Sequence, residues 1–271
     1  MSFYTSLNGL KNAQTDLGVI AHNIANAETT GFKKSDTEFA DLVSGGKMTD
    51  PRLTKGIGAT VTSITQNFGL GAIEQTGTAT DLAINGDGFF ALRGAENGQT
   101  AFTRNGAFDI DGAGYVQDGS NNRLQVYATD AAGNVLNSGA TIDARVPDMN
   151  GAGAELAGVT IGKDGELEAA YADGSVETVG RVALASFIAP TGLRQLGSSK
   201  WEATGLSGNP TFGMPGVGRY GSLLSGALER SNVDLAEEMV GLITAQRNFQ
   251  ANAKAIDTAT QLSQTILNLR T

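Results

Sequence analysis

Mostly apolar side chains recur at alternating three- and four-residue steps at both ends of the chain. In the first segment the positions are Leu7, Leu10, Gln14, Leu17, Ala21 and Ile24. In the last segment they are Leu235, Met239, Leu242, Gln246, Phe249, Ala253 and Ile256. Such spacing is typical of helices that pack along a common seam. It predicts one helix over about residues 3–27 and a second, longer helix that ends near residue 268.

The residues that flank these segments indicate where the helices end and begin. Residues 29–32, with the sequence Thr-Thr-Gly-Phe, contain a glycine suited to a left-handed helix end. Residues 231–234 supply side chains that can cap a helix N-terminus, and Asp234 with Glu237 has the spacing of a capping box. The first helix is therefore expected to stop before Gly31, and the second to begin near Asp234.

Asparagine–glycine and aspartate–glycine pairs interrupt short β-type runs in the middle of the chain, and each predicts a hairpin turn. The pairs begin at Asn85, Asp87, Asn105, Asp111, Asp164 and Asp173. The strand residues expected to face inward are Phe102, Phe108, Ile110, Tyr115, Val116, Val182, Leu184, Phe187 and Ile188. Residues 44–60 are polar and contain glycine, and they are predicted to form a loop.

These patterns predict an α+β protein in which paired, coiled-coil-like N- and C-terminal helices flank a central all-β body. The helical domain would comprise residues 1–32 and 231–271, and the β-rich middle domain residues 33–230. The turn-forming residues support this division, because 33 of the 37 glycines and all five prolines lie between residues 35 and 230.

The acidic charge belongs to the middle of the chain. Residues 1–34 sum to +1 and residues 231–271 to −1, so the net charge of −9 comes from the residues between them. Nucleic-acid binding requires clustered Lys and Arg, and no such cluster is present, so no nucleic-acid partner is expected. No stretch approaches the ~18 apolar residues of a membrane span, and no Sec-type leader is evident. Membrane insertion is therefore not expected.

Candidate catalytic and metal-binding groups are few. The chain has no cysteine, and its single histidine, His22, is expected to have a packing or polar surface role. Residues 216–221 match a dinucleotide-binding G-x-G-x-x-G but follow Pro215 rather than a strand. Residues 109–114 suggest a calcium loop, although no Glu stands at the twelfth position and a hairpin turn explains them more simply. We therefore predict no enzyme activity, cofactor or metal.

Residues 21–33, 64–92 and 226–270 carry motifs that resemble those of the bacterial flagellar hook and rod family of axial proteins. Residues 21–33, AHNIANAETTGFK, are similar to the N-terminal signature of that family, ANNIANxxTxGFK. Residues 64–92 resemble its central motif, and residues 226–270 resemble its C-terminal helix. Within the family, residues 103–108, 232–235 and 268–270 look most like the hook branch, whereas the length of the chain suits the distal rod.

The resemblance implies a structural subunit of a helical tube. The paired terminal helices would form its inner domain and the β-rich domain the outer shell. The first function implied is a short flagellar hook subunit, without the additional outer hook domain, that transmits torque from rod to filament. The alternative is a distal rod subunit of the basal body, and a remote alternative is a secreted β-rich enzyme or binding module, for which Trp201 is the only tryptophan available to stack on a sugar.

The resemblance also implies partners and a location. The chain would form a homopolymer that meets neighbouring axial proteins, namely the rod, the hook cap and the hook–filament junction. It would pass through the flagellar type III export apparatus without a cleaved signal peptide. The location would be the extracellular hook, or the periplasmic basal-body rod in the alternative.

Three sets of residues follow from the pattern and the resemblance. The subunit-packing residues are expected to be Leu7, Leu10, Leu17, Ile24, Leu235, Met239, Leu242, Phe249 and Ile256. The family signature comprises Asn23, Ile24, Ala25, Asn26, Thr30, Gly31, Phe32 and Lys33. Phe3 and Leu7 match an export element of the family, although they are one helical turn apart and could equally begin the seam. Within the signature, the asparagine side chains can bond backbone groups at the helix exit, and Gly31 can supply a left-handed cap.

Overall fold

The computed structural model describes residues 2–44, 55–96, 98–130, 133–137 and 139–268. Helix α1 is Ser2–Ala25 and helix α2 is Leu235–Asn268. The first strands are β1 Ser35–Ser44, β2 Lys55–Gln66, β3 Ile73–Gln75, β4 Leu82–Asn85, β5 Phe89–Gly94, β6 Thr100–Thr103, β7 Asp109–Ile110, β8 Val116–Gln117, β9 Asn122–Tyr127 and β10 Ile142–Asp143. The remaining strands are β11 Leu156–Ile161, β12 Glu166–Tyr171, β13 Val176–Val182, β14 Leu184–Ser186, β15 Arg194–Gly197, β16 Lys200–Glu202, β17 Thr211–Gly213, β18 Ser222–Ser225 and β19 Ala227–Glu229. Helices at the two ends of the chain, with strands between them in sequence, confirm the predicted α+β class.

The chain divides into two compact units. The first, which we call the helical unit, comprises Met1–Ala27, Lys34–Asn67 and Val233–Thr271. The second, the β unit, comprises Glu28–Lys33 and Phe68–Asn232. The predicted boundaries differ from this division, because residues 34–67 were assigned to the β-rich domain and belong to the same compact unit as the helices.

In the helical unit, α1 and α2 pack side by side in antiparallel directions. Gly9 of α1 faces Asn252, so close that a Cβ on Gly9 would lie 2.5 Å from the Asn252 Oδ1 atom, whereas Ile20 lies beside Gly241. The most buried apolar residues of the two helices are Ala13 and Ala245. Small residues at these positions allow the helix backbones to approach closely.

Strands β1 and β2 form an antiparallel ribbon that runs along α1. Their register joins Ser35 to Gln66 at one end and Ser44 to Lys55 at the other. The predicted loop over residues 44–60 is therefore wrong at Ser44 and at residues 55–60, while residues 45–54 lie outside the described residues. Glycine suggested a loop, but Gly58 lies within β2, where its φ of +128° is a backbone conformation that favours glycine.

The β unit is built around a thirteen-stranded sheet. The main path of the sheet is β11-β12-β13-β9-β5-β6-β16-β15, so β11 and β15 are its two edges. Two further strand pairs, β18–β4 and β19–β3, complete the unit. An aliphatic core includes Leu82, Leu92, Leu124, Leu167 and Leu184, and a second, aromatic core contains Phe89, Phe102, Phe187 and Trp201.

The hairpin predictions are confirmed at three of the six glycine pairs. Turns at Asp111, Asp164 and Asp173 join β7 to β8, β11 to β12 and β12 to β13. The pairs at Asn85, Asp87 and Asn105 do not join paired strands, since β4 pairs with β18 and β6 does not pair with β7. At two of these pairs glycine serves close packing instead, because a Cβ on Gly86 would lie 2.9 Å from the Gly221 Cα and a Cβ on Gly106 would lie 1.7 Å from the Leu82 carbonyl oxygen.

Among the strand residues predicted to face inward, Ile188 is the one whose side chain is exposed to solvent. Its side chain is 84% exposed, whereas Phe187 beside it is buried in the aromatic core. The prediction is wrong because β14 ends at Ser186, so alternation does not continue through Ile188.

Candidate subunit-packing site

Asn23 is the buried polar centre of the helical unit. Its amide nitrogen donates to the Ser35 carbonyl at 2.9 Å and to the Glu238 carboxylate at 3.2 Å. Its amide oxygen accepts the Ser35 N–H at 2.9 Å. Only an amide side chain can donate and accept in this way, so Asn23 ties α1 to the first residue of β1 and to the first turn of α2.

Other signature residues shape the end of α1. The side-chain amide of Asn26 donates to the His22 carbonyl at 2.9 Å, and the same carbonyl accepts the Asn26 backbone N–H at 3.2 Å, so the side chain reinforces the last turn of the helix. Gly31 has the predicted left-handed conformation, with φ +66°, but the prediction that it caps the helix is wrong, because α1 ends six residues earlier at Ala25. A Cβ on Gly31 would lie 2.4 Å from the Asn105 backbone nitrogen, so space as well as conformation requires glycine.

Burial raises the pKa of Glu238 above its ordinary value of about 4.5, while the hydrogen bond from Asn23 and the charge of Lys34 oppose that rise. The nearby carboxylates of Asp36 and Glu237 raise the pKa further. The folded state therefore holds the proton to a higher pH than the unfolded state does. The contribution of Glu238 to stability is most favourable below about pH 4.5. It declines as the pH rises through the raised pKa that Glu238 has in the folded state.

We therefore expect Glu238→Gln to raise the thermal midpoint of the helical unit at pH 7 and to leave it nearly unchanged near pH 4.5. Gln keeps an oxygen for Asn23 but carries no buried charge. Circular dichroism at 222 nm is a suitable probe, because both α-helices of the described chain lie in this unit. Asp257→Asn is the matched control, since Asp257 is an exposed carboxylate nineteen residues farther along the same helix. Parallel pH profiles for the Glu238→Gln variant and the parent protein would contradict the expectation.

Lys33, the last residue of the family signature, lies in a buried charge cluster of the β unit. Its ammonium group lies 2.5 Å from Oε1 of Glu229 and donates to the Gly69 carbonyl at 2.7 Å. Arg104 lies 3.4 Å from Oε2 of the same carboxylate, and the Gly71 N–H donates to Oε1 at 2.9 Å. Lys33, Glu229 and Arg104 are each at most 3% exposed. Burial lowers the pKa of Lys33, and the Glu229 carboxylate partly opposes this.

The charge cluster joins three parts of the sequence that are far apart along the chain. Lys33 belongs to the N-terminal signature, Gly69 and Gly71 to the central motif, and Glu229 to the C-terminal block. The Gly31 N–H also donates to the Glu229 carbonyl at 2.8 Å. Sequence reasoning missed Glu229 and Arg104. The available signal was an isolated charge within or next to an apolar strand, at Ala227–Glu229 and after Thr100–Thr103.

The structure separates the predicted packing residues into two groups. Leu7, Leu10, Leu17, Ile24, Leu242, Phe249 and Ile256 are half-buried. Leu235 and Met239 are exposed at 40% and 55%, because the buried positions of α2 are Glu238 and Ala245. The buried positions 238 and 245 therefore each precede by one residue the positions 239 and 246 that the spacing predicted. Whether the exposed residues pack against other subunits stays a prediction.

Further apolar side chains of α2 are also exposed. Val240, Ile243, Leu262 and Ile266 are each 50–66% exposed. At the proposed export element, Phe3 is 41% exposed and stacks edge-on with Tyr4 at a centroid distance of 5.8 Å, while Leu7 is half-buried. Its role in export stays a prediction.

The two motifs that resembled a calcium loop and a dinucleotide-binding site are turns in the structure. Asp111 accepts the N–H groups of Ala113 and Tyr115 through one oxygen, which closes the turn that resembled a calcium loop. The glycine motif at residues 216–221 forms a closed turn between β17 and β18, with Gly216 N–H donating to the Gly221 carbonyl. His22 is exposed on α1. Among the described residues, no group of three His, Cys, Asp or Glu could hold a metal ion, and no described helix is both long and apolar enough to span a membrane.

Three family descriptions match successive parts of the chain. Residues 3–33 match the flagella basal body rod protein family, and residues 83–169 match the flagellar hook protein FlgE/F/G D1 domain. Residues 224–269 match the flagellar basal body rod FlgEFG protein C-terminal family. The matched ranges overlap the three segments on which the resemblance was based.

Proteins of similar sequence align with 99–100% of this chain. The flagellar basal-body rod protein FlgG of Bacillus subtilis (strain 168) is 35% identical over 281 aligned residues, which cover 99% of this chain and 98% of that protein. FlgG of Borreliella burgdorferi is 32% identical over 282 residues, with 99% and 98% covered. The flagellar hook protein FlgE of Salmonella typhimurium is 27% identical over 411 residues, with all of both chains covered.

The fold places the chain among α+β proteins whose two ends form a helix pair. By these matches the chain belongs to the bacterial flagellar hook and rod family, and the family predicted from the sequence is confirmed.

Proposed function

We propose that this protein is a structural subunit that polymerises into the helical tube of a bacterial flagellum and transmits torque along it. The observation that carries the proposal is the exposed apolar side chains in two groups on α2, which are Leu235, Met239, Val240 and Ile243 in the first and Leu262 and Ile266 in the second. A terminal helix with apolar side chains on both its paired and its open faces is suited to packing against further helices. The role is mechanical, and no enzyme activity or cofactor is part of the proposal.

The family membership supports the proposed partners and route. Copies of this chain would form the wall of the tube, with the terminal helices inside and the β-rich domain outside. Rod, hook-cap and hook–filament junction proteins would meet the ends of the tube. The chain would reach that place through the type III export apparatus without a cleaved signal peptide, and Phe3 and Leu7 would form its export element.

Two positions along the axis have comparable support. The hook, outside the cell, is favoured by the hook-like sequences at residues 232–235 and 268–270. The distal rod, in the periplasm, is favoured by length, because the alignment with FlgG needs 281 positions and the alignment with FlgE needs 411 for the 271 residues of this chain. A hook subunit of this length would lack the additional outer domain.

A single cysteine distinguishes the two positions, because the chain has none of its own. Glu96→Cys places a thiol on an exposed turn after β5. Maleimide-gold labelling of isolated hook–basal bodies, followed by electron microscopy, is expected to decorate the hook. Labelling confined to the rod would overturn the hook assignment in favour of the distal rod. Unmodified flagella from the parent strain provide the control for thiols of other proteins.

A further inference from the structure

A cleft of about 430 Å³ opens in the helical unit between α1, the start of β1 and the first turns of α2. Val19 and Ile20 of α1 and Val240 of α2 supply its apolar walls. The buried hydrogen bonds of Asn23, which also lines the cleft, hold the three elements together. The cleft is therefore a preformed feature of the unit.

Carboxylates outnumber cations in this cleft. Asp16, Asp36, Glu237 and Glu238 line it, and Lys34 is the one cation among the described lining residues, so four carboxylates against one ammonium give a net charge of −3. The Lys34 ammonium is shared between Asp36 at 3.8 Å and Glu237 at 3.6 Å. Asp16 takes part in none of the ion pairs among the described residues. This cleft, which we call the acidic cleft, can therefore accept a further cation.

The geometry of the acidic cleft suits a cationic side chain better than a metal ion. The described part of the chain contains no group of three His, Cys, Asp or Glu side chains that could hold a metal ion, so the cleft carboxylates are not arranged for one. A lysine or arginine side chain combines an aliphatic stem with a charged head. The stem would pack on Val19, Ile20 and Val240, and the head would meet the carboxylates.

Helix α2 itself carries two such side chains farther along its length. Arg247 and Lys254 are exposed, and neither forms an ion pair within the described chain. They are seven residues apart and therefore share one helix face, about 200° around the helix from Ala245 and Asn252, which lie on the side of α1. We call Arg247 and Lys254 the basic pair. Because it points away from α1, the basic pair is accessible to another molecule.

We propose that the basic pair of one copy binds the acidic cleft of a neighbouring copy, with the Arg247 guanidinium among the cleft carboxylates. A second copy is the occupant because Asp16 and the basic pair are unpaired within one copy and carry opposite charges. This inference rests on the proposed function, in which copies of the chain form the wall of a tube. The two contacting surfaces differ, so each copy can bind one neighbour through its cleft and another through its basic pair. A head-to-tail contact of this kind extends into rings or helical assemblies.

Charge reversal in the full chain tests the contact. Arg247→Glu brings a carboxylate to the acidic cleft, and Asp16→Arg places a cation inside it. Each single variant is expected to weaken self-association by at least about tenfold in sedimentation velocity, because like charges then meet. The double variant Asp16→Arg with Arg247→Glu restores opposite charges and is expected to recover most of the association of the parent protein. Unchanged association of Arg247→Glu, or a loss that the double variant does not recover, would overturn the proposal.

Lys11→Glu is the matched control. Lys11 is an exposed lysine of α1, so its reversal changes the net charge of the helical unit by the same amount as Arg247→Glu and is expected to leave self-association nearly unchanged. Circular dichroism at 222 nm verifies that the helices of each variant are folded. Equal weakening by Lys11→Glu would show that net charge controls association and would overturn the proposal. Weakening by Asp16→Arg but not by Arg247→Glu would mean that another cationic partner fills the cleft, which overturns the assignment to a second copy.

Electron microscopy of the same samples separates this inference from the proposed function. Tubes formed by Arg247→Glu at the same concentration as the parent protein would overturn the cleft contact and leave the proposed function standing. Self-association of the parent without tubes, weakened by Arg247→Glu and recovered in the double variant, would support the contact and count against tube formation. The absence of any self-association in the parent protein would overturn both proposals.

Discussion

Replacement of Glu229 with Gln is expected to lower the free energy of unfolding of the β unit by about 3–5 kcal/mol, the cost of breaking a buried ion pair by removing one partner. The Glu229 carboxylate lies between the Lys33 ammonium and the Arg104 guanidinium, and all three side chains are excluded from water. Without the carboxylate, two buried cations face each other with no anion in contact. No contacting anion then offsets the repulsion between the two cations or the free-energy cost of removing them from water.

Trp201 provides the measurement. It is the only tryptophan, it is 1% exposed, and it lies in the β unit with Glu229, so denaturant unfolding followed by its fluorescence reports that unit. Arg194→Gln is the matched control, because Arg194 pairs with Glu202 at the surface and its loss should cost less than about 1 kcal/mol. A loss below 1 kcal/mol for Glu229→Gln as well would show that the buried cluster contributes little.

Lys33→Met combined with Glu229→Gln refines this test. Removal of the second charge leaves only Arg104, which also donates to the Gly86 carbonyl at 2.9 Å. The double variant should therefore be more stable than the sum of the two single losses predicts, since the groups interact directly. Strict additivity would contradict a coupled cluster.

The charge cluster also shows what the sequence could and could not predict. Lys33 was recognised as a signature residue, but its partners Arg104 and Glu229 follow 71 and 196 residues later. Helical seams and tight turns arise from neighbours in sequence, so periodicity and turn chemistry predict them. A buried ion pair between distant strands depends on the register of the whole sheet, which local pattern does not contain.

The glycine pairs illustrate the same limit. Asp111, Asp164 and Asp173 lie between strands that pair with each other, and the hairpin prediction succeeded there. At Gly106 and Gly86 the same sequence signal reflects close approach of distant backbone, at Leu82 and Gly221. Asn-Gly and Asp-Gly pairs predict the same hairpin turn, and the Asp-Gly pair at Asp87 also joins no paired strands, so only the tertiary structure distinguishes a turn from a packing glycine.

The last turns of α2 are expected to be the part of the helical unit most important for assembly. Helix α1 has 24 residues and α2 has 34, and Gly9 faces Asn252 in their antiparallel packing. The first residue of α1, seven positions before Gly9, therefore lies level with about residue 259 of α2. Beyond this point α1 cannot cover α2, and Leu262 and Ile266 are 60% and 65% exposed there.

Leu262→Asp combined with Ile266→Asp is therefore expected to abolish tube formation while leaving the monomer folded. The two side chains are four residues apart and share one helix face, where a neighbouring copy would bury them. Loss of about 1.5–3 kcal/mol for each buried side chain weakens each contact by at least tenfold. The critical concentration for polymerisation should thus rise by about a hundredfold or more, as measured by sedimentation and electron microscopy.

The matched control changes polar neighbours on other faces of the same turns, in the double variant Gln261→Asp with Gln264→Asp. Both glutamines are exposed, so this variant adds the same charge to the same helix segment without removing an apolar contact. Equal loss of assembly in both double variants would indicate that charge alone prevents polymerisation. Assembly of the Leu262/Ile266 variant at an unchanged concentration would contradict a role for this segment in the tube, and the exposed residues nearer the start of α2, such as Val240 and Ile243, would then be the ones to test.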